Sequence, residues 1–263
     1  MRNSLHVKLC QILIMLMTVG VVLGFQNLSI AGNQLVIQPN QIEIGTFFNG
    51  QSLLIQAEIP SSAQAVVEII GQSSEEHLMK KGRRGGLWMN VGEVHITGVP
   101  SLYIVASTEN KLLEDPSADV SWGYHAIMKK IEVSGQVNEN EKEKLIQDFI
   151  KLKEHYGVYK ILPGQLKNSD STNGYKKIVG TLPIPASIKP GTYEVCLTVI
   201  QQSDKQETTK QCQNMKVVMV GLPALLATLA YEHGVLYGVI AVIIAILTGF
   251  AMGYIFKKGG GGH

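Results

Sequence analysis

The densest group of charged side chains that could bind a ligand lies in one short glycine-rich stretch, whose consecutive members are Lys80, Lys81, Gly82, Arg83, Arg84, Gly85 and Gly86. Backbone amides that glycine leaves accessible, with fixed cations around them, can hold a small oxyanion. The four cations, called the basic cluster below, could instead contact anionic lipid headgroups. A third interpretation is a solvated hairpin loop, which involves no ligand.

Two of the three cysteines are placed as a pair across a hairpin. Cys196 and Cys212 are equally distant from Asp204, so a turn near that residue would set them on facing strands. In an oxidising compartment such a pair is more often a disulfide than two thiols. A redox or metal-binding role has less support, because no C-x-x-C motif or Cys/His cluster accompanies the pair.

The other residue types that carry out chemistry show no motif. His77, His95, His125 and His155 occur singly, without the spacing of a zinc site or a haem attachment site. The chain also lacks the G-x-S-x-G elbow, the P-loop and the dinucleotide fingerprint. We therefore expect no enzyme activity, no catalytic or cofactor-binding residues and no bound metal. The net charge of +2 argues against a nucleic-acid partner.

Strands are expected to carry most of these residues. Apolar and polar side chains alternate in the stretches 53–59 and 193–199, and turn residues separate such segments. This patterning predicts a mainly β ectodomain, an immunoglobulin-like β-sandwich, in which Trp88 would be a core residue and Asn90 a structural hydrogen-bonding residue. One helix is predicted at about 138–156. The domain could divide into two sub-modules near 115–157, where the part up to residue 135 has no clear pattern.

The C-terminal stretch 234–256 gives the strongest topological signal. Its 23 residues carry no charge, and at about 1.5 Å per residue they extend about 35 Å, enough to cross a hydrocarbon core of about 30 Å. Lys257 and Lys258 follow at once. The positive-inside rule then places the tail 257–263 in the cytoplasm. We therefore predict a single transmembrane helix with the preceding domain on the other side of the membrane.

The N-terminal stretch 1–31 has the features of a secretory signal peptide. Basic residues precede an apolar run, and Ser29 and Ala31 are small at the positions that signal peptidase reads. The alternative is an uncleaved anchor, which leaves the middle of the chain on the same side. The exported domain is then 32–220, and an amphipathic segment at 221–233 is expected to lie in the membrane interface.

One face of the predicted span consists of small residues at spacings of three or four, namely Gly234, Gly238, Ala241, Ala245, Gly249 and Gly253. These spacings keep the residues on one side of a helix. Small side chains let a second helix approach closely, which favours association within a bilayer. The face predicts packing against an integral membrane partner or against a second copy of this chain, although glycine and alanine are common in membrane helices generally.

Three motifs follow one another along the chain. A basic, glycine-rich turn leads into a W-x-N strand at 79–90 and continues through 100–107; Leu-Pro at 182–183 precedes Pro-Gly-Thr-Tyr at 190–193; and Leu-Tyr-Gly at 236–238 opens the span. Their order and spacing resemble a family of transmembrane proteins described chiefly from alphaproteobacteria. The resemblance covers the chain from about residue 45 onward.

The resemblance implies a periplasmic domain in a Gram-negative bacterium and a C-terminal helix in its inner membrane. It points to a companion of sulfite-exporter-type permeases but carries over no activity and no cofactor. Members often have an acidic residue where this chain has Pro223, so a role tied to that acid is not expected here. The expected function is a membrane-anchored periplasmic accessory or interaction protein that packs against an integral membrane partner, such as an anion exporter. The alternative is a periplasmic oxyanion-binding module centred on 80–86.

Overall fold

A computed structural model describes residues 35–114, 121–172, 174–201 and 207–259. The predicted signal peptide at 1–31 lies outside these residues. The strands are β1 (Val36–Gln38), β2 (Gln41–Ile44), β3 (Gln51–Pro60), β4 (Ala63–Ile70), β5 (Ser73–Arg84), β6 (Leu87–Pro100), β7 (Tyr103–Ser107), β8 (Glu132–Gly135), β9 (Tyr159–Leu162), β10 (Lys167–Thr172), β11 (Tyr175–Ile184), β12 (Gly191–Gln201) and β13 (Glu207–Met219). The helices are α1 (Lys111–Glu114), α2 (Tyr124–Met128), α3 (Glu139–His155), α4 (Gly221–Glu232) and α5 (Gly234–Gly259).

Two sheets share one apolar core. The four-stranded sheet has the order β1-β3-β11-β10, and the six-stranded sheet has the order β2-β13-β12-β4-β7-β9. The alternating apolar residues of β3, from Leu53 to Ile59, are buried, and so are those of β12, from Tyr193 to Val199. All of them belong to the same core cluster, from which removing a Leu or Ile side chain typically costs about 2–5 kcal/mol. The predicted mainly β fold is confirmed.

The six-stranded sheet is buried on both faces at β7, the strand next to the β9 edge. All five residues of β7 are buried, and successive residues of a strand point to opposite faces. The Tyr103 ring of β7 contacts Tyr159 of β9 and Tyr124 of α2, with ring centroids 6.2 and 6.4 Å apart. Phe149 and Ile150 of α3 join the core as well. This long helix is the one predicted at about 138–156.

Strands β5 and β6 form a long hairpin, called the arm below, that turns at 85–86. Both turn glycines have positive φ (59° and 85°), as the preferred two-residue hairpin turns require. The arm continues the β4–β7 pair without a break: the Gly71 N–H donates to the Leu102 carbonyl (2.8 Å), and the Ser101 N–H donates to the Gln72 carbonyl (2.9 Å). The ribbon therefore runs off the end of the six-stranded sheet, and β8 pairs with β6 only near its base.

The C-terminal part of the chain leads from β13 into two helices. Pro223 lies in the first turn of α4, where the N–H that proline lacks has no partner in the helix. Helix α5 has 26 residues. Its segment Gly234–Lys257 has a mean hydropathy of 2.5 and is long and apolar enough to cross a membrane. The single apolar helix predicted at the C-terminus is therefore present.

Candidate functional site

Helix α3 holds one face of the arm. Lys153 Nζ lies 2.7 Å from Glu76 Oε1, and Lys80 Nζ lies 2.8 Å from Glu141 Oε2. The side chains of Glu76 and Lys80 share a face because they are four residues apart on one strand. The hydrogen bond from the Lys80 ammonium, and then its charge, lowers the pKa of the Glu141 carboxyl. Two ion pairs therefore connect α3 to one face of the arm.

The structure does not gather the basic cluster around one point. Its four residues belong to β5, so Lys80 and Arg84 point to one face of the arm while Lys81 and Arg83 point to the other. Gly82 also lies within the strand, where an added Cβ would collide with a side chain of β6. This geometry offers an extended basic surface and no common cradle for a small oxyanion.

The far end of the arm, residues 83–89, is called the arm tip below, and it is apolar as well as basic. Leu87, Trp88 and Met89 are 69%, 73% and 45% exposed. The interpretation of Trp88 as a sandwich-core residue is wrong, because its strand has already left the sheet and no second layer of described residues covers it. Asn90 is exposed too. Several large apolar side chains exposed together mark an interaction surface.

The outer face of the arm, opposite α3, holds a cluster that no motif indicated. His77 and His95 occupy paired positions on the two strands, with ring centroids 4.5 Å apart. Glu75 Oε1 lies 3.3 Å from His95 Nδ1 and 3.7 Å from His77 Nε2. Glu93 Oε1 lies 3.4 Å from His77 Nδ1 and 3.9 Å from His95 Nε2. Two histidines that looked isolated in the sequence thus share a site with two carboxylates.

A sequence signal for this cluster does exist. Each strand of the arm carries the triplet Glu-x-His, at 75–77 and at 93–95. A period of two places Glu and His on the same face of a strand, and the turn at 85–86 brings the two triplets opposite each other. The other two histidines singled out in the sequence, His125 of α2 and His155 of α3, take no part in the cluster.

The two cysteines occupy opposite positions in β12 and β13. The structure joins Cys196 Sγ to Cys212 Sγ at 2.09 Å, across the hairpin that the sequence predicts. Glu194 lies close enough to complete a set of three potential metal ligands with them. Because the sulfur atoms are bonded to each other, neither is available as the thiolate that a metal needs.

The buried carboxylate of Glu68 has a structural explanation. Tyr103 Oη donates a hydrogen bond to Glu68 Oε1 (2.5 Å), and the Gly123 N–H donates to Tyr103 Oη (2.7 Å). Burial, and then the charge of Glu68, raises the pKa of the Tyr103 phenol far above its usual value, so the phenol remains a donor. The network ties the segment before α2 to the sheet. A small cavity beside it is also lined by Ile127 and Lys210.

The small-residue face of α5 is open in the structure. A Cβ added at any of its four glycines would meet nothing within 4 Å, and Ala241 and Ala245 are exposed. No other part of the described chain covers this face. A second helix could therefore approach it closely.

A protein family described as "Putative transmembrane protein (Alph_Pro_TM)" matches residues 34–258. The match takes in the sandwich, the arm and the apolar C-terminal helix. The chain belongs to this family. The resemblance drawn from the three sequence motifs is thereby confirmed. The described residues contain one candidate span, at the C-terminus, which in a transmembrane family fits a single-pass membrane protein. No curated protein matches the chain.

Proposed function

We propose that this protein is a membrane-anchored accessory protein that docks on an integral membrane partner, with its sandwich in the periplasm and its C-terminus in the cytoplasm. Two surfaces would make the contact: the small-residue face of α5 within the bilayer, and the arm tip beside it. A transporter, such as an exporter of sulfite-type anions, is the partner that the family resemblance favours. The observation that carries the proposal is that the arm extends from the end of the sheet at which the chain leaves for α4 and α5.

The direction of the arm follows from strand order. β13 ends where the chain departs for α4 and α5, and β12 runs antiparallel to β13. β4 is antiparallel to β12 and so parallel in direction to β13. Its last residue, Ile70, is therefore at the end of the sheet from which the chain leaves for the membrane. The arm continues from that end, and the 12 residues of β5 extend about 40 Å at about 3.3 Å per residue.

The chemistry of the arm tip suits a protein surface at the membrane boundary. Trp88 and Met89 offer large contact areas with few fixed polar requirements, and Trp, Met and Arg are enriched in protein interfaces. Arg83 lies opposite Trp88 on the hairpin and could pair with acidic groups at the rim of a partner. The open face of α5 would let a second helix approach closely, which favours an integral membrane protein over lipid alone.

Site-specific photocrosslinking in native membranes tests the proposal. A crosslinking amino acid at Trp88 and one at Gly249 should each capture the same integral membrane protein. Matched control positions are Leu247, on another side of α5, and Ser61, in the turn at the far end of the sheet. Capture of lipid only at both test positions, or equal capture from test and control positions, would contradict docking on a protein partner.

A further inference from the structure

We propose that Glu75, His77 and His95 form a binding site for a divalent transition-metal ion, such as Zn²⁺ or Cu²⁺, on the outer face of the arm. One ligand atom from each residue lies within 4.8 Å of the other two. Ligand atoms at about 2.0–2.1 Å from a tetrahedral ion are about 3.3 Å apart. Glu75 Oε1 is already 3.3 Å from His95 Nδ1 and 3.7 Å from His77 Nε2. Small side-chain rotations would therefore complete the site.

Glu93 supplies the outer support that such a site needs. Metal-binding histidines generally donate their second ring N–H to a carboxylate, which fixes the tautomer and the direction of the ring. Glu93 Oε1 lies 3.4 Å from His77 Nδ1, so His77 would present Nε2 to the ion. The same oxygen is 3.9 Å from His95 Nε2, on the side of that ring away from Glu75. Each ring thus directs towards Glu75 the nitrogen that would bind the ion.

The arm holds the two histidines close together before any ion binds. His77 and His95 are fixed opposite each other by strand pairing, and the opposite face of the arm is tied to α3 through Glu76 and Lys80. The four side chains remain 33–55% exposed, so an ion can reach them from solvent. Three protein ligands on one open face of the arm would leave the ion a fourth coordination position for water.

The donor set decides the class of ion. Two imidazoles with one carboxylate suit Zn²⁺, Cu²⁺ and Ni²⁺, whereas Ca²⁺ and Mg²⁺ prefer sets made of oxygen alone. The alternative explanation of the same distances is a set of ion pairs between carboxylates and protonated histidines. The two explanations need different protonation states, because an ion pair needs imidazolium whereas a metal ion needs neutral imidazole. Adding metal at a pH where imidazole is neutral therefore tests the metal site without the ion pairs.

Calorimetric titration of the full-length protein in a nonionic detergent, with Zn²⁺ at about pH 7.5, tests the site. Wild-type protein should show one saturable site that His77→Ala with His95→Ala, or Glu75→Ala alone, removes. Glu93→Ala should weaken binding by about 10- to 100-fold. The matched control is His125→Ala with His155→Ala, which deletes two surface histidines elsewhere and should leave the affinity unchanged.

A spectroscopic measurement on wild-type protein guards against variants that fail to fold. The Cu²⁺ complex should give an electron paramagnetic resonance spectrum with two imidazole nitrogens, and the control variant should give the same spectrum. Zn²⁺ binding that persists unchanged in the His77→Ala/His95→Ala protein would overturn the assignment, and so would a Cu²⁺ spectrum without paired imidazoles. Either result would leave the docking proposal untouched, since the partner contacts involve other residues.

Discussion

Replacing Trp88 with alanine should separate docking from folding. A fully buried Trp side chain hides about 250 Å², but Trp88 is 73% exposed, so only about a quarter of that area is at stake. At about 25 cal/mol per Å² the loss is about 1.7 kcal/mol, and the compactness of the unfolded chain reduces it further. We expect a change in the free energy of unfolding of about 1–1.5 kcal/mol.

The second tryptophan provides the matched comparison. Trp122 is 8% exposed, and its Nε1–H donates to the Leu112 carbonyl at 3.0 Å. Trp122→Ala should therefore cost about 3–5 kcal/mol and leave that carbonyl without its donor. Urea unfolding of the full-length protein in detergent, followed by circular dichroism, measures both values. Equal destabilisation by the two substitutions would refute the exposed position of Trp88 and, with it, the reasoning about the arm.

The functional test uses the Trp88→Ala protein again. Trp88→Ala should reach the membrane at wild-type levels and lose crosslinking or co-purification of the partner. Arg83→Ser would then show whether the opposing cation contributes to the same contact. A Trp88→Ala protein that folds normally and retains its partner would mean that the exposed apolar group has no part in docking.

Four further outcomes are expected. A reporter that is active only outside the cytoplasm should work when fused after Val220 and fail when fused after Lys258; activity at the second site would reverse the proposed orientation. Thiol labelling under denaturing, non-reducing conditions should find neither cysteine of the β12–β13 hairpin free, and labelling of both would contradict the disulfide. Calorimetry with sulfite or sulfate should show no saturable binding, because the basic cluster is divided between two faces; binding that is lost when all four residues are changed to Ser would restore the oxyanion hypothesis. Leu at Gly249 and Gly253 should preserve insertion but cost on the order of 1 kcal/mol of helix association, whereas Phe at Ile243, on another side, should change little; retention of every partner by the Leu variant would contradict the packing face.

The parts of the fold that the sequence predicts are those set by local periodicity. Alternation in β3 and β12 reflects one face turned to a core, and this holds whatever the neighbouring strand is. The helix at 139–155 and the C-terminal span follow from patterns of 3.6 residues and from uninterrupted apolarity. Each of these signals lies within a short window, so no long-range contact is needed to interpret it.

The arm could not be predicted in the same way, because its position depends on register between distant strands. The W-x-N alternation at 88–90 is the same in a sandwich strand and in a ribbon that has left the sheet. Only the continuation of the β4–β7 pairing through Gly71 and Leu102 shows that the hairpin projects. The division of the basic cluster between two faces was not predicted for the same reason, because residues expected in a loop lie in a strand.

The location of the His/Glu cluster on the arm links the two proposals. β8 pairs with β6 from Val94 to Thr97, so Glu93 and His95 lie where the three-stranded base gives way to two strands. A two-stranded ribbon is marginally stable by itself in water, and the arm tip is carried by such a ribbon. An ion bound by His77 and His95 would join the two strands at the start of this weak section. Metal binding is then expected to reduce the hydrogen exchange of backbone amides between the cluster and the tip, and so to stiffen the element that carries Trp88.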